Sequence, residues 1–162
     1  FLLNKKLNMF LDRMDKAILR QLQQDAAITN LHLAERVGLS APACLKRVKR
    51  LQKEGVISRQ VALLDPDSFG PCLHILVEVT MQSDRRELNA AFIQKLRLMP
   101  QVKQCYEVTG EVDFVLLVQV PDMPSYQEFC EELLYSNPNM KAFTTLISMN
   151  RIKYDTSLTI PD

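Results

Sequence analysis

The sequence predicts an α+β chain in two parts: a basic helix-turn-helix and, after it, a βαββαβ domain of the ferredoxin-like kind. Three observations predict this. Residues 1–64 hold twelve Lys and Arg against five Asp and Glu, a charge of +7, whereas residues 65–162 carry −6, although the whole chain is only +1. Two apolar-striped helical segments meet across the short turn Gly38-Leu39-Ser40. Beyond Asp65-Pro66-Asp67-Ser68-Phe69-Gly70-Pro71, β-branched runs and amphipathic runs alternate. With 162 residues, 47% of them hydrophobic, the chain can fill two small cores.

Leu11–Gln24 reads as the first helix, with Asp12 able to cap it and Met14, Ala17, Ile18 and Leu22 on one face. Thr29 opens a second, short helix with Leu31, Leu33, Ala34 and Val37 apolar, and Gly38 ends it in a left-handed conformation. Ser40 caps a third helix that runs to Glu54, with Pro42 in its first turn, where a missing N–H costs nothing. Leu45, Val48 and Leu51 form its apolar seam, with Cys44 alongside, and this placement implies a slightly long turn after Gly38. Val56–Leu64 reads as extended, a small wing or the start of a connecting strand.

Residues 65–71 are a linker rich in turn formers, which separates residues 1–64 from residues 72–162. Cys72–Gln82 is the first strand of the second part and Arg85–Met99 a helix stopped before Pro100. Val102–Thr109 and Phe114–Val120 are strands around the turn Gly110-Glu111-Val112-Asp113. Pro124–Tyr135 is a helix with Ser125 near its start, and Lys141–Lys153 is the last strand. The order βαββαβ is the split-βαβ arrangement, with helices on one sheet face and an apolar second face that needs a cover, commonly another copy of itself.

Several function classes fall away. Cysteines 44, 72, 105 and 130 are far apart, and His32 and His74 lie in different segments, so no metal site is indicated and the thiols read as buried residues of a reducing cytosol. No Gly-rich phosphate loop, nucleophile–base pair or carboxylate dyad stands out, so an enzyme is not expected. No apolar run approaches the ~20 residues of a membrane span, and the N-terminus is a poor signal peptide. A cytoplasmic protein without a membrane partner is expected.

The third helix points to double-stranded DNA. Lys46, Arg47, Lys49, Arg50 and Lys53 occur with no acid between Ala41 and Lys53. Ser40 and the small Ala41, Pro42 and Ala43 let the N-terminal end approach base edges, while cations further along meet phosphates. Arg47 is the expected base reader, since a guanidinium pairs bidentately with guanine, and Arg50, Lys46 and Lys49 are expected on phosphates.

Leu11-Asp12-Arg13-Met14-Asp15, Leu33–Ser40, Cys44–Leu51, Gly55-Val56-Ile57, the turn Gly110–Asp113 and Val120-Pro121-Asp122-Met123 together resemble the leucine-responsive regulatory protein (Lrp/AsnC) family over residues 11–160. The resemblance implies a winged helix-turn-helix joined to an ACT-like, amino-acid-sensing domain. It also implies homodimers paired through their sheets, octamers of four dimers, and an amino-acid effector bound between dimers near the hairpin turn. Leucine or methionine is the first candidate. Glu111 departs from the Asp or Asn usual there, and Val112, Ala41 and Ala43 are further variations.

An amino acid needs an acceptor for its ammonium and donors for its carboxylate. Thr109, Gly110, Glu111 and Asp113 offer both: Gly110 admits close approach to the backbone, Asp113 or Glu111 accepts and Thr109 donates. Met123 and Leu146 line an apolar side, and Thr144 and Thr145 are secondary candidates. The expected function is a sequence-specific transcription regulator whose assembly or DNA binding responds to that effector. The alternative is a sequence-tolerant architectural DNA-binding protein with no effector response.

Overall fold

A computed structural model describes residues 10–161; the expected N-terminal arm, residues 1–9, and Asp162 lie outside the described residues. The chain forms two compact units, one of the residues up to Leu63 together with those from Lys153 onward, the other of Leu64–Ile152.

In the first unit α1 spans Arg13–Gln24, α2 Asn30–Val37 and α3 Ala41–Lys53. Asp12 caps α1 through a reciprocal box, its carboxylate accepting from the Asp15 N–H while the Asp15 carboxylate accepts from the Asp12 N–H. Thr29 caps α2. Gly38 ends that helix at φ 70°, with the Leu39 N–H reaching back to the Ala34 carbonyl at 2.9 Å, a closure that disfavours any residue with a Cβ. Ser40 occupies the N-cap of α3, but its side chain makes no capping bond. Ile18, Leu33, Ala34, Val37, Cys44 and Leu51 form the core, with Ala41 and Val48 packed against it.

One expectation changes here. The inner seam of α3 runs through Ala41, Cys44, Val48 and Leu51, while Leu45 is 41% exposed. The seam is therefore reached one residue earlier than expected, and no long turn is needed. Residues 58–65 pair with no strand among the described residues.

The tail, beyond the strand expected to end at Lys153, returns to α1. The Leu158 N–H donates to Gln23 Oε1 at 2.6 Å, Gln23 Nε2 donates to the Leu158 carbonyl at 3.1 Å, and Arg20 Nη2 donates to the Ile160 carbonyl at 3.0 Å. Segments 10–63 and 153–161 are thus held together by side-chain amide and guanidinium bonds to tail backbone.

The second unit opens with a 3₁₀ turn, Pro66–Phe69. Strand β1 (Leu73–Met81), helix α4 (Arg86–Leu98), strands β2 (Val102–Glu107) and β3 (Phe114–Val120), helix α5 (Met123–Phe129) and strand β4 (Met140–Ile147) follow. Asp122, rather than Ser125, caps α5: its carboxylate accepts from the Ser125 N–H at 2.8 Å. Beyond Phe129 the helix widens into a π-helical segment, Cys130–Tyr135. The sheet order is β2-β3-β1-β4, and every pair is antiparallel. This is the expected α+β, ferredoxin-like topology.

Alternation assigns the two sheet faces. Ile75, Val77, Val79 and Met81 of β1 and Phe114, Leu116, Val118 and Val120 of β3 are buried beneath Phe92, Leu96, Phe129, Leu133 and Leu134. Phe92 meets Phe114 edge to face at 5.4 Å. The opposite face holds an apolar row across three strands, Leu117, Leu76 and Leu146, followed by Val115, Glu78 and Thr144. Leu76 is 40% and Leu146 46% exposed.

Candidate nucleic-acid interface and ligand face

At about 100° per residue, a helix with Cys44, Val48 and Leu51 turned inward carries Pro42, Lys46, Lys49 and Lys53 along its opposite side. Lys46, Lys49 and Lys53 are exposed and have no ion pair among the described residues. Asn30 Nδ2 ties the start of α2 to the start of α3 through the Ala41 carbonyl at 2.8 Å. The first turn of α3 is therefore fixed, while Pro42 and Ala43 stay exposed and Ala41 is half-buried.

Arg47 and Arg50 lie elsewhere. They sit on the flank of α3 toward α1, where Asp15 is buried at 1% exposure. Arg47 Nη1 is 2.7 Å from Asp12 Oδ2 and 2.9 Å from Asp15 Oδ1, and Arg50 Nη2 is 2.5 Å from Asp15 Oδ2. One buried carboxylate thus accepts from two guanidiniums. The Asp15 N–H and then the Arg47 guanidinium hold the Asp12 carboxyl below the usual carboxylate range, and the same pairing, Asp12 first, strengthens the charged form of Arg47. The expected base contact of Arg47 competes with this geometry, because its Nη1 already serves two acids. Asp12 and Asp15 were missed as partners. Their spacing, Asp at the cap and Asp three residues later in the most basic part of the chain, was the available signal.

The expected effector residues are not gathered into one pocket of the chain. Thr109, Gly110 and Glu111 are exposed at the β2–β3 turn, and Gly110 stands at φ 128°, which excludes other residues by backbone conformation. Asp113 has a structural duty: Oδ2 accepts the Met81 N–H at 2.6 Å, beside the β1–β4 irregularity, and its backbone closes the hairpin with Val108. Met123, 46% exposed, follows the far end of β3. Thr144 lies on the open sheet face, whereas Thr145 lies on the helix side and shares a 2.6 Å hydrogen bond with Tyr126. Burial raises the Tyr126 phenol well above its ordinary value. A cavity of about 160 Å³ lies between α4 and the π-helical segment, lined in part by Phe92, Lys95, Leu133 and Pro138, and it includes none of these residues.

Cys44 and Cys130 are buried, but Cys72 and Cys105 are exposed, which corrects the expectation of four buried thiols. Among the described residues no cluster of His, Cys, Asp and Glu could hold a metal, and no helix is long and apolar enough to cross a membrane.

Residues 11–58 match a winged helix-turn-helix DNA-binding family, and residues 74–158 match the Lrp/AsnC ligand binding domain. The chain belongs to the Lrp/AsnC family. It is 39% identical over 150 residues to the DNA-binding transcriptional activator DecR of Escherichia coli, spanning 93% of this chain and 99% of that protein. It is 35% identical over 150 residues to the leucine-responsive regulatory protein of the same species, spanning 93% and 92%. A transcriptional regulator of Neisseria meningitidis, solved in complex with L-Met, superimposes with a TM-score of 0.84 at 32% identity, covering 93% of this chain and 97% of that one. This Lrp/AsnC chain is accordingly a DNA-binding transcription regulator with a ligand-binding domain, not an enzyme.

Proposed function

We propose that this regulator binds operator DNA as a homodimer, placing the Pro42–Lys46–Lys49–Lys53 side of α3 at the major groove, and that a small apolar amino acid alters its assembly or its grip on DNA. The observation that carries the DNA half is the row of three lysines, unpaired among the described residues, opposite the buried seam of α3. Ser40, Ala41, Pro42 and Ala43 bring the helix end toward base edges, and Lys46 and Lys49 meet phosphates. The Leu117–Leu76–Leu146 row supports pairing through the open sheet face, since an apolar band across three strands is stabilised by removal from water. Four such dimers in an octamer are the larger assembly proposed.

The effector site is proposed at the β2–β3 turn, completed by another copy. Asp113 and Met123 stand at opposite ends of β3, so a ligand touching both needs residues from two chains. With one Asp113 oxygen given to Met81, Glu111 is the freer acceptor for an ammonium, and Thr109 and Thr144 are the hydroxyl donors. Leucine or methionine is the first candidate, supported by the L-Met complex of the Neisseria relative. The Lys-only outer side of α3 favours a second reading, a sequence-tolerant architectural binder, because lysine on phosphate carries no base information.

One titration separates these readings. Duplex DNA carrying the regulator's own promoter, and random duplex of equal length, are titrated at fixed salt with and without each of the twenty amino acids. The proposal expects tighter binding to the promoter and a change in apparent affinity with leucine or methionine. Equal affinity for both duplexes, with no response to any amino acid, selects the architectural reading.

A further inference from the structure

We infer that Asp15 is a positioning residue that keeps two arginines of α3 away from DNA phosphate, and so limits binding to random sequence. This rests on the reading of α3 as the DNA-facing helix.

The argument begins with geometry. Five cations lie on α3, yet two of them already have carboxylate partners inside the protein. Asp15 is 1% exposed and is anchored by its place in the α1 capping box, so it does not follow an arginine outward. Arg50 Nη2 sits 2.5 Å from Asp15 Oδ2, with 45% of its side chain still exposed. It is therefore within reach of solvent and of any polyanion lying along the helix. What holds it back is the carboxylate. If Arg50 left for a phosphate, Asp15 would lose one of two counter-charges at a buried position, which makes the exchange unfavourable. Arg47 is held more firmly, by both Asp12 and Asp15. Lys46, Lys49 and Lys53 have no such competitor among the described residues.

A cation that stays on its own carboxylate displaces no counterion from DNA. Each phosphate contact contributes about 0.9 to the slope of log affinity against log salt. The paired arginines should therefore be silent in that slope and the lysines visible in it. Random-sequence binding is almost wholly this electrostatic contribution, so an arginine freed from Asp15 would strengthen it directly. Asp15 in this way limits random-sequence binding without touching DNA.

The experiment measures the salt slope on random and promoter duplexes for the full-length protein and for Lys49→Gln, Arg50→Gln and Asp15→Asn, with circular dichroism to confirm folding. Lys49→Gln should flatten the slope by about 0.9 and Arg50→Gln should leave it unchanged. Asp15→Asn should steepen it by about 0.9 on random duplex, because Arg50 is freed while Asp12 still holds Arg47. Flattening by Arg50→Gln as large as that by Lys49→Gln would overturn the inference, because Arg50 would then be a phosphate contact. If Asp15→Asn does not fold, the Lys49 and Arg50 pair decides the matter alone, since both side chains are exposed. If Lys49→Gln leaves the slope unaltered, α3 is not the DNA-facing helix, and the underlying reading fails instead.

Discussion

Asp15 and Asn139 are the buried polar side chains among the described residues, one in each unit, and they are satisfied in opposite ways. Asp15 is a charge answered by two charges. Asn139 is a neutral amide whose Nδ2 donates to the Ser83 carbonyl at 2.9 Å and to Asn89 Oδ1 at 3.2 Å. The difference follows from the size of each core. Sixteen buried residues form the core of the sheet unit, enough for layers of side chains to fix their own arrangement. Six form the helical core, so α1 and α3 need a further clasp, and a charge pair supplies one with a definite geometry. A clasp at the edge of a basic helix then has a second effect that a neutral amide could not have: it removes cations from the binding surface.

The comparison breaks if the two clasps prove equal. Arg47→Ala should cost the helical unit about 2–3 kcal/mol, because it leaves Asp12 without its guanidinium and buried Asp15 with Arg50 alone. Thermal unfolding would show a lower transition for the helical unit with no change in the far-UV spectrum below it. A loss under about 0.5 kcal/mol, the range of ordinary surface substitutions, would make the pair an ornament of the surface and return Arg47 to the candidates for base contact.

Where the sequence was legible, period decided. Burial alternates cleanly along β1 and β3, and Phe114–Val120 lies where the apolar run after the turn Gly110–Asp113 places it. The α3 seam was misread through Leu45 because leucine outranks cysteine in apolarity. Positions 45, 48 and 51 drift by about 120° around a helix, whereas 44, 48 and 51 stay within about 60°, so the period itself favoured Cys44. The π-helical turn at Cys130–Tyr135 has no local signature, since the same residues serve an α-helix equally well. Asp113 could not be assigned from sequence, because its partner is the N–H of Met81, 32 residues away. The return of the tail to Gln23 was hidden for the same reason, at a separation of 135 residues.

Asn139→Ala should cost the sheet unit about 1 kcal/mol, the net worth of a neutral hydrogen bond. The Ser83 carbonyl and the Asn89 side chain lie near the surface and can take water in its place. Chemical denaturation followed at the sheet unit would give this value. A cost matching that of Arg47→Ala would mean that the larger core depends on its polar clasp as much as the smaller one does, and the size argument would fail.

The smallest effect belongs to Asp12, where the charge can be separated from the cap. Asparagine caps a helix about as well as aspartate, so Asp12→Asn keeps the bond from the Asp15 N–H and loses only the charge facing Arg47. The folded state holds the Asp12 carboxyl below its ordinary range, with the Asp15 N–H as the larger cause and Arg47 next. A carboxyl with a lowered folded pKa adds stability that is complete above its unfolded value, about pH 4, and disappears as pH falls through the folded value. The helical unit of the unsubstituted protein should therefore exceed the Asp12→Asn variant in melting temperature at neutral pH by a small margin, and the two curves should converge below about pH 4. Melting temperatures measured from neutral pH downward test this directly. A gap that stays constant across the whole range would show that the Asp12 oxygen serves α1 as a cap alone, and that the charged clasp between α1 and α3 rests on Asp15.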